Sequence, residues 1–285
     1  MKLLDKVEAK LTNGHRRTPN TLWPSSASAW MPCESCGGAG SIPNHEGTMP
    51  CPDCDGQGVT LVGTCMRAEF WKYIGVPVTN PITAGGRLKM EMGNLCEDMT
   101  LGHAAALFIM ARQVEFWLRP ELTGLTRSVH GYADFVLVNE EDGSLELGEN
   151  KSGYGHYFTK SVMKARAIKP EWWLQVCLGL KGLMVRCPHN EVKRARFLIL
   201  DRGNGNRVEI TREVAVEDVD DVVTRCIKRW AQLEEYLAHG GERLPPAEYR
   251  DVPGKKKFGH WRCGYCSYLD RCKAVNDIAM EASDV

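Results

Sequence analysis

The chain has 285 residues, 43% of them apolar, with 36 lysines and arginines against 36 aspartates and glutamates. That length suits one large domain, or one domain and a small module, with a core that needs no covalent staples. A formal net charge of zero excludes a global basic field, so affinity for a nucleic acid has to come from local patches. The N-terminal stretch MKLLDKVEAKLTNGHRR has no apolar signal-peptide core, and no run approaches a membrane span in length. A soluble, cytoplasmic protein is expected, with no membrane partner. Twelve cysteines without an export signal point to metal binding in a reducing compartment rather than to disulfides.

Lys2 to Leu11 is expected to form a short helix ended by Asn13-Gly14, and the Pro- and Ser-rich stretch Thr18 to Pro32 reads as a linker. Residues 1–32 are thus an N-terminal segment. Residues 33–60 form a separate module. Cys33-Glu-Ser-Cys36-Gly-Gly-Ala-Gly40 and Cys51-Pro-Asp-Cys54-Asp-Gly-Gln-Gly58 are two copies of CxxCxGxG. Each CxxC can grip one Zn²⁺ with two thiolates, and the glycines let the backbone turn tightly around the sulfurs. Cys33, Cys36, Cys51 and Cys54 therefore form an expected zinc site. The repeat resembles the cysteine-rich region of DnaJ-type chaperones, with one pair present and no J-domain pattern. A structural knuckle and a small ribbon contacting DNA or a partner both remain open for it.

Residues 61–75 are expected to be an amphipathic helix, and residues 88–119 a long helix or two. Leu88, Met92, Leu95 and Met99 recur there at helical spacing, with Glu97 off the stripe. His103 reads as a packed or solvent-facing histidine, and Pro120 ends the segment. Tyr132 to Val138 alternates as a strand, Glu140 to Ser144 supply turn chemistry, and Leu145 to Lys151 reads as the return strand. Asp134 is a charge inside an apolar strand, which demands a reason. Glu149 and Lys151, two apart, share one strand face. Two carboxylates can bind Mg²⁺ or Mn²⁺ as hard oxygen ligands, and a lysine beside them can orient water or stabilise developing charge.

Tyr154, Tyr157, Lys160 and Lys164 interleave bases and aromatics, a pattern that can hold a nucleic-acid strand and equally suits a solvated helix. Glu171 to Lys181 reads as a helix carrying Gln175. Asp201 to Asn206 is a turn between two strands. Val219 to Leu237 is an amphipathic helix with Cys226 on its apolar stripe and Gly240 as its cap. Cys96, Cys177 and Cys187 are read as packing residues as well. Lys255-Lys-Lys257 precedes Cys263-x-x-Cys266-x₅-Cys272, a triplet that marks a metal site. With Cys65 it makes four thiolates, which suit a [4Fe–4S] cluster or a second zinc.

Gly131-x-x-Asp134 followed by Glu149-x-Lys151 resembles the PD-(D/E)xK nuclease superfamily, in its RecB-like branch. Gly93-Asn-Leu-Cys-Glu97 resembles that branch's upstream helical motif, and Gln175 its downstream glutamine. Ala133 stands in place of the proline, and Gly179 where a tyrosine is common. Cys65-Met-Arg67 with Tyr73 and Gly75 resembles the first-cysteine segment of members that carry an iron–sulfur cluster. The resemblance covers roughly residues 60–275 and is nearest to the stand-alone CRISPR-associated exonucleases, of which phages also have counterparts.

It implies an α/β fold with a restriction-endonuclease-like core, a mixed central sheet flanked by helices, over residues 61–285. It implies catalytic Glu97, Asp134, Glu149, Lys151 and Gln175, and Mg²⁺ or Mn²⁺ on Glu97, Asp134, Glu149 and the Asn150 carbonyl. It further implies a [4Fe–4S] cluster on Cys65, Cys263, Cys266 and Cys272. The partner implied is DNA, single-stranded or at ends, in a bacterial or phage-infected cell. A homo-oligomer or a recombination or replication protein is left open as a further partner. Two other functions stand beside this one: a non-catalytic zinc and iron–sulfur scaffold that binds DNA or protein, and thiol-redox chemistry through the CxxC pairs. No GxxxxGK[ST] loop is present, so no ATP-driven motor is fused to the chain.

Overall fold

Ten strands and five longer helices make up the described part of the chain, residues 21–44, 47–105, 110–240, 243–251 and 256–281 of a computed structural model. The strands are β1 (Thr21–Leu22), β2 (Ser28–Pro32), β3 (Ser41–Asn44), β4 (Gly47–Pro50), β5 (Val59–Gly63), β6 (Met110–Leu118), β7 (Ser128–Val138), β8 (Leu145–Gly153), β9 (Val192–Asp201) and β10 (Arg207–Glu213). The longer helices are α1 (Met66–Tyr73), α2 (Ala84–Ala104), α3 (Pro170–Arg186), α4 (Val216–Ala238) and α5 (Leu269–Glu281). The helix expected at Lys2 to Leu11, and Lys255 of the lysine run, lie outside the described residues.

Two compact units emerge. Of the described residues, the first comprises those in 21–25 and 83–224, the second those in 26–82 and 225–281. The first unit holds a six-stranded mixed sheet in the order β1-β7-β8-β9-β10, with β6 also paired to β7. The expected hairpin forms its middle: β7 and β8 pair antiparallel from Phe135 opposite Gly148 to Val138 opposite Leu145. The side chains of Asn139 and Asp142 accept from the backbone N–H groups of Glu141 and Ser144 and close the turn. β8 and β9 run parallel, which requires a crossover, and α3 lies within it. β9 and β10 form the expected second hairpin.

The unit's core is built from Phe135, Leu147, Leu174, Leu178, Phe197 and Ile199, all fully buried. Leu101 of α2 packs with Phe135 and Leu137 on the sheet. The first unit is thus a mixed α/β architecture, a central mixed sheet flanked by helices, and the second holds a cysteine-rich cluster.

Three expectations are corrected. The segment read as a linker contains β1, paired parallel to β7, and β2, paired antiparallel to β5. The helix expected from residue 61 begins at Met66, because residues up to Gly63 belong to β5. The helix expected to reach 119 ends at Ala104, and Met110–Leu118 is strand β6. Phe116 and Leu118 alternate into the core there, and period two against β7 overrides any helical reading. The stripe Leu88, Met92, Leu95 and Met99 is helical but stays between 46% and 67% exposed. Among the described residues no helix is long and apolar enough to cross a membrane.

Candidate metal centres and active site

In the first unit, four elements bring charged groups together. β7 supplies Asp134, β8 supplies Glu149 and Lys151, α2 supplies Glu97 and α3 supplies Gln175. Gly131 can only be glycine here: a Cβ would sit 2.7 Å from Pro24 and 2.8 Å from the Phe116 ring. Glu149 is buried and forms an ion pair with Lys151. Lys151 Nζ donates to Gln175 Oε1 at 3.4 Å. The backbone N–H of Asn150 donates to Asp134 Oδ2 at 2.7 Å.

The electrostatics show how crowded these acids are. Burial pushes the Asp134 carboxyl well above its ordinary range, and the Glu149 charge adds to this against Lys151. Glu97 is pushed up by burial and then by Glu149. Burial pulls Lys151 down, but Glu149 and Asp134 outweigh it and the net shift is upward. Three carboxylates against one ammonium leave excess negative charge in a partly dry site. Carboxylate oxygens are hard donors, the type that Mg²⁺ and Mn²⁺ take. All five residues expected from the sequence thus act on one another through charge or hydrogen bonds.

One contributor had no sequence signal. Gln113 of β6, in a segment expected to be helical, donates from Nε2 to Glu97 Oε1 at 2.7 Å. Gly179 faces Leu147, and a Cβ on it would lie 3.0 Å from that side chain, so α3 approaches the sheet closely there. Tyr154, Tyr157, Lys160 and Lys164 are all exposed, in the segment that follows Lys151. Lys89 and Arg202 lie 5.6 and 5.4 Å from the Tyr154 ring. Cys96 and Cys187 are half-buried, and Cys177 is fully buried as a packing residue.

No protein-family model matches the chain, and no curated protein matches it. The solved structure of SSO0001 aligns with 95% of this chain and 94% of its own, at 13% identity and a TM-score of 0.46.

In the second unit, Cys33, Cys36, Cys51 and Cys54 hold their sulfurs within 4.8 Å of one another, the one group of this kind among the described residues. The Cys33–Cys51 and Cys36–Cys54 sulfurs are each 3.8 Å apart. Thiolates about 2.3 Å from a zinc at tetrahedral corners lie about 3.8 Å from each other, so the set fits a single ion. The two repeats build the same turn twice. Gly40 N–H points at Cys36 Sγ and Gly58 N–H at Cys54 Sγ, both at 3.3 Å. Cys33 N–H bonds Gly58 O and Cys51 N–H bonds Gly40 O, both at 2.8 Å. Gly40 and Gly58 have φ of +75° and +73°, and a Cβ on either would meet the facing carbonyl oxygen at 2.4 or 2.3 Å. The glycines of the motif are thus required by backbone conformation and by close approach of the two turns.

Cys65, Cys263, Cys266 and Cys272 line one cavity of about 370 Å³ together with Trp71, Tyr249 and Tyr268. Cys65 caps the start of α1, and Cys272 lies on α5. Burial pushes the Cys263 thiol up to about 11, with the charges of Cys65, Cys266 and Cys272 adding to it. These four sulfurs are spread more widely than the first set. A [4Fe–4S] cluster binds each thiolate at a different iron, so it needs a wider frame than one zinc, and a roomy cavity fits it. Cys226 is fully buried on α4, as its place on the apolar stripe led us to expect.

Proposed function

We propose that this protein is a Mg²⁺- or Mn²⁺-dependent deoxyribonuclease with a restriction-endonuclease-like core of the RecB type. One observation carries the reading: Asp134, Glu149, Glu97, Lys151 and Gln175 converge from four elements, with Glu149 paired to Lys151, Lys151 bonded to Gln175, and the Asp134 and Glu97 carboxyls pushed up by burial and by Glu149. Asp134, Glu149 and Glu97, with the Asn150 carbonyl, would hold the ion. A bound divalent ion polarises a scissile phosphate and lowers the pKa of its water.

The chain's own residues do the rest. Lys151 pairs with Glu149, and its acidic neighbours favour its charged form. It therefore acts as a fixed positive charge for the phosphate oxygens rather than as a base. Gln175 accepts from its ammonium and limits where that charge can point. Tyr154, Tyr157, Lys160 and Lys164 supply exposed rings and ammonium groups for the bases and phosphates of a single strand or a DNA end. The reading extends to exonuclease action in recombination, repair or processing, with zinc on Cys33, Cys36, Cys51 and Cys54 and a [4Fe–4S] cluster on Cys65, Cys263, Cys266 and Cys272. Both metal centres are structural in this proposal, since phosphodiester hydrolysis needs no electron transfer.

The test is cleavage of labelled single- and double-stranded DNA by anaerobically purified protein with Mn²⁺ or Mg²⁺. Wild type is expected to cut, and Asp134→Ala to bind DNA without cutting. Wild-type binding without cutting under either ion would replace the nuclease with a non-catalytic DNA-binding scaffold.

A further inference from the structure

Strand β6 contains a residue that regular strand geometry does not explain. Gln113 has φ of +49°, left-handed backbone that a non-glycine residue inside a strand rarely adopts. The β6–β7 register pairs Arg112 with Phe135 and Val114 with Ala133 and skips the step between them, Gln113 and Asp134. In a regular strand, successive side chains point to opposite faces. Here two successive side chains reach the same helix. Arg112 Nη2 pairs with Asp98 Oδ1 at 2.7 Å, and Gln113 Nε2 donates to Glu97 Oε1 at 2.7 Å. Consecutive strand residues thus hold consecutive acids of α2, and the left-handed residue breaks the alternation that would keep them apart. Such conformations persist where the surroundings over-determine them, and they concentrate at functional sites.

We infer that Gln113 is a positioning residue for the candidate active site. Its amide N–H fixes one oxygen of Glu97 and leaves Oε2 as the oxygen available to a divalent ion shared with Asp134 and Glu149. The inference rests on the metal-dependent reading above. An amide suits this role because it donates without carrying a positive charge that would repel the ion, as a lysine there would. Arg112 meanwhile occupies Asp98, so the adjacent carboxylate is engaged away from the ion.

The experiment is Mn²⁺ binding to the full chain, with its zinc and iron–sulfur centres loaded, followed by electron paramagnetic resonance of the free ion. Wild type is compared with Asp134→Ala, Gln113→Ala, Gln113→Gly, Glu97→Ala and Gln113→Ala/Glu97→Ala. Wild type should show a site that Asp134→Ala abolishes. Both Gln113 variants should bind there at least about tenfold more weakly, as expected for loss of a group that orients a ligand. Gln113→Gly should melt no lower than wild type, because glycine adopts this φ freely, so a folding defect cannot account for its loss. The double variant should bind no more weakly than Glu97→Ala, since Gln113 acts through Glu97. Wild-type affinity in Gln113→Gly, or a further loss in the double variant, overturns the inference and leaves the nuclease reading intact. A wild type with no Mn²⁺ site sensitive to Asp134→Ala overturns the metal-dependent reading and the inference with it.

Discussion

The backbone N–H of Asn150 donates to Oδ2 of Asp134 at 2.7 Å, tying the aspartate of β7 to the strand that carries Glu149 and Lys151. One N–H is not enough to offset burial and the neighbouring glutamate, so the Asp134 carboxyl titrates well above 3.8. Burial and that glutamate disfavour the charged form of Asp134, and a further positive charge beside it would favour that form.

That shift sets a pH dependence. An acid whose folded pKa is raised contributes stability in full below its unfolded pKa and loses it as pH rises through the folded value. Without added Mg²⁺ or Mn²⁺, Asp134→Asn should therefore melt higher than wild type at about pH 8, by roughly 2–4 °C or about 1 kcal/mol. The advantage should shrink as pH falls and wild-type Asp134 takes up its proton. Thermal melts across that range check the sign; a variant less stable than wild type at the upper end contradicts it.

Lys151 and Gln175 should separate by size of effect. Lys151→Ala removes the one ammonium among the carboxylates and should lower the cleavage rate by about 10²–10³. Gln175→Ala removes only an acceptor that steers that ammonium at 3.4 Å, and a loss of about tenfold is expected. Single-turnover rates on labelled DNA read both, and equal losses would argue that Gln175 touches the reacting groups itself.

The two cysteine sets should part by metal. Cys51→Ser should abolish the zinc of the knuckle while leaving iron and visible absorbance in place. Cys272→Ser should do the reverse. Metal analysis of anaerobically purified protein, alongside its absorption spectrum, decides this; zinc at both sets in wild type would remove the cluster from the assignment.

Gly58→Ala tests the knuckle's backbone. Its new Cβ would meet Gly38 O at 2.3 Å from a residue at φ +73°. A cost of about 2–3 kcal/mol is expected, read as a lower melting temperature and a zinc content well below wild type.

Some of this was legible in residue order. The hairpin at 132–151, the second hairpin at 201–206 and the amphipathic helix through Cys226 follow from short-range pattern and turn chemistry. Strand β6 was not legible, because Met110–Leu118 carries a mixed pattern whose period is settled only by pairing with β7. The exposed stripe of α2 misled in another way: its spacing is helical, but Leu101 rather than Met92 or Leu95 packs under the helix. β1 and β2 were hidden in a Pro- and Ser-rich stretch whose strand character comes from its partners.

The knuckle and the pair Glu149 and Lys151 were determined by spacing along the chain. Two CxxCxGxG turns can close on one ion with little outside help, and residues two apart in a strand share a face. The placement of Glu97 and Gln175 against them, and the recruitment of Gln113, was decided by the tertiary structure alone. These side chains come from different helices and an adjacent strand, so only the sheet register and the helix packing bring them within hydrogen-bonding and Coulombic reach. Short-range sequence pattern does not encode that distance.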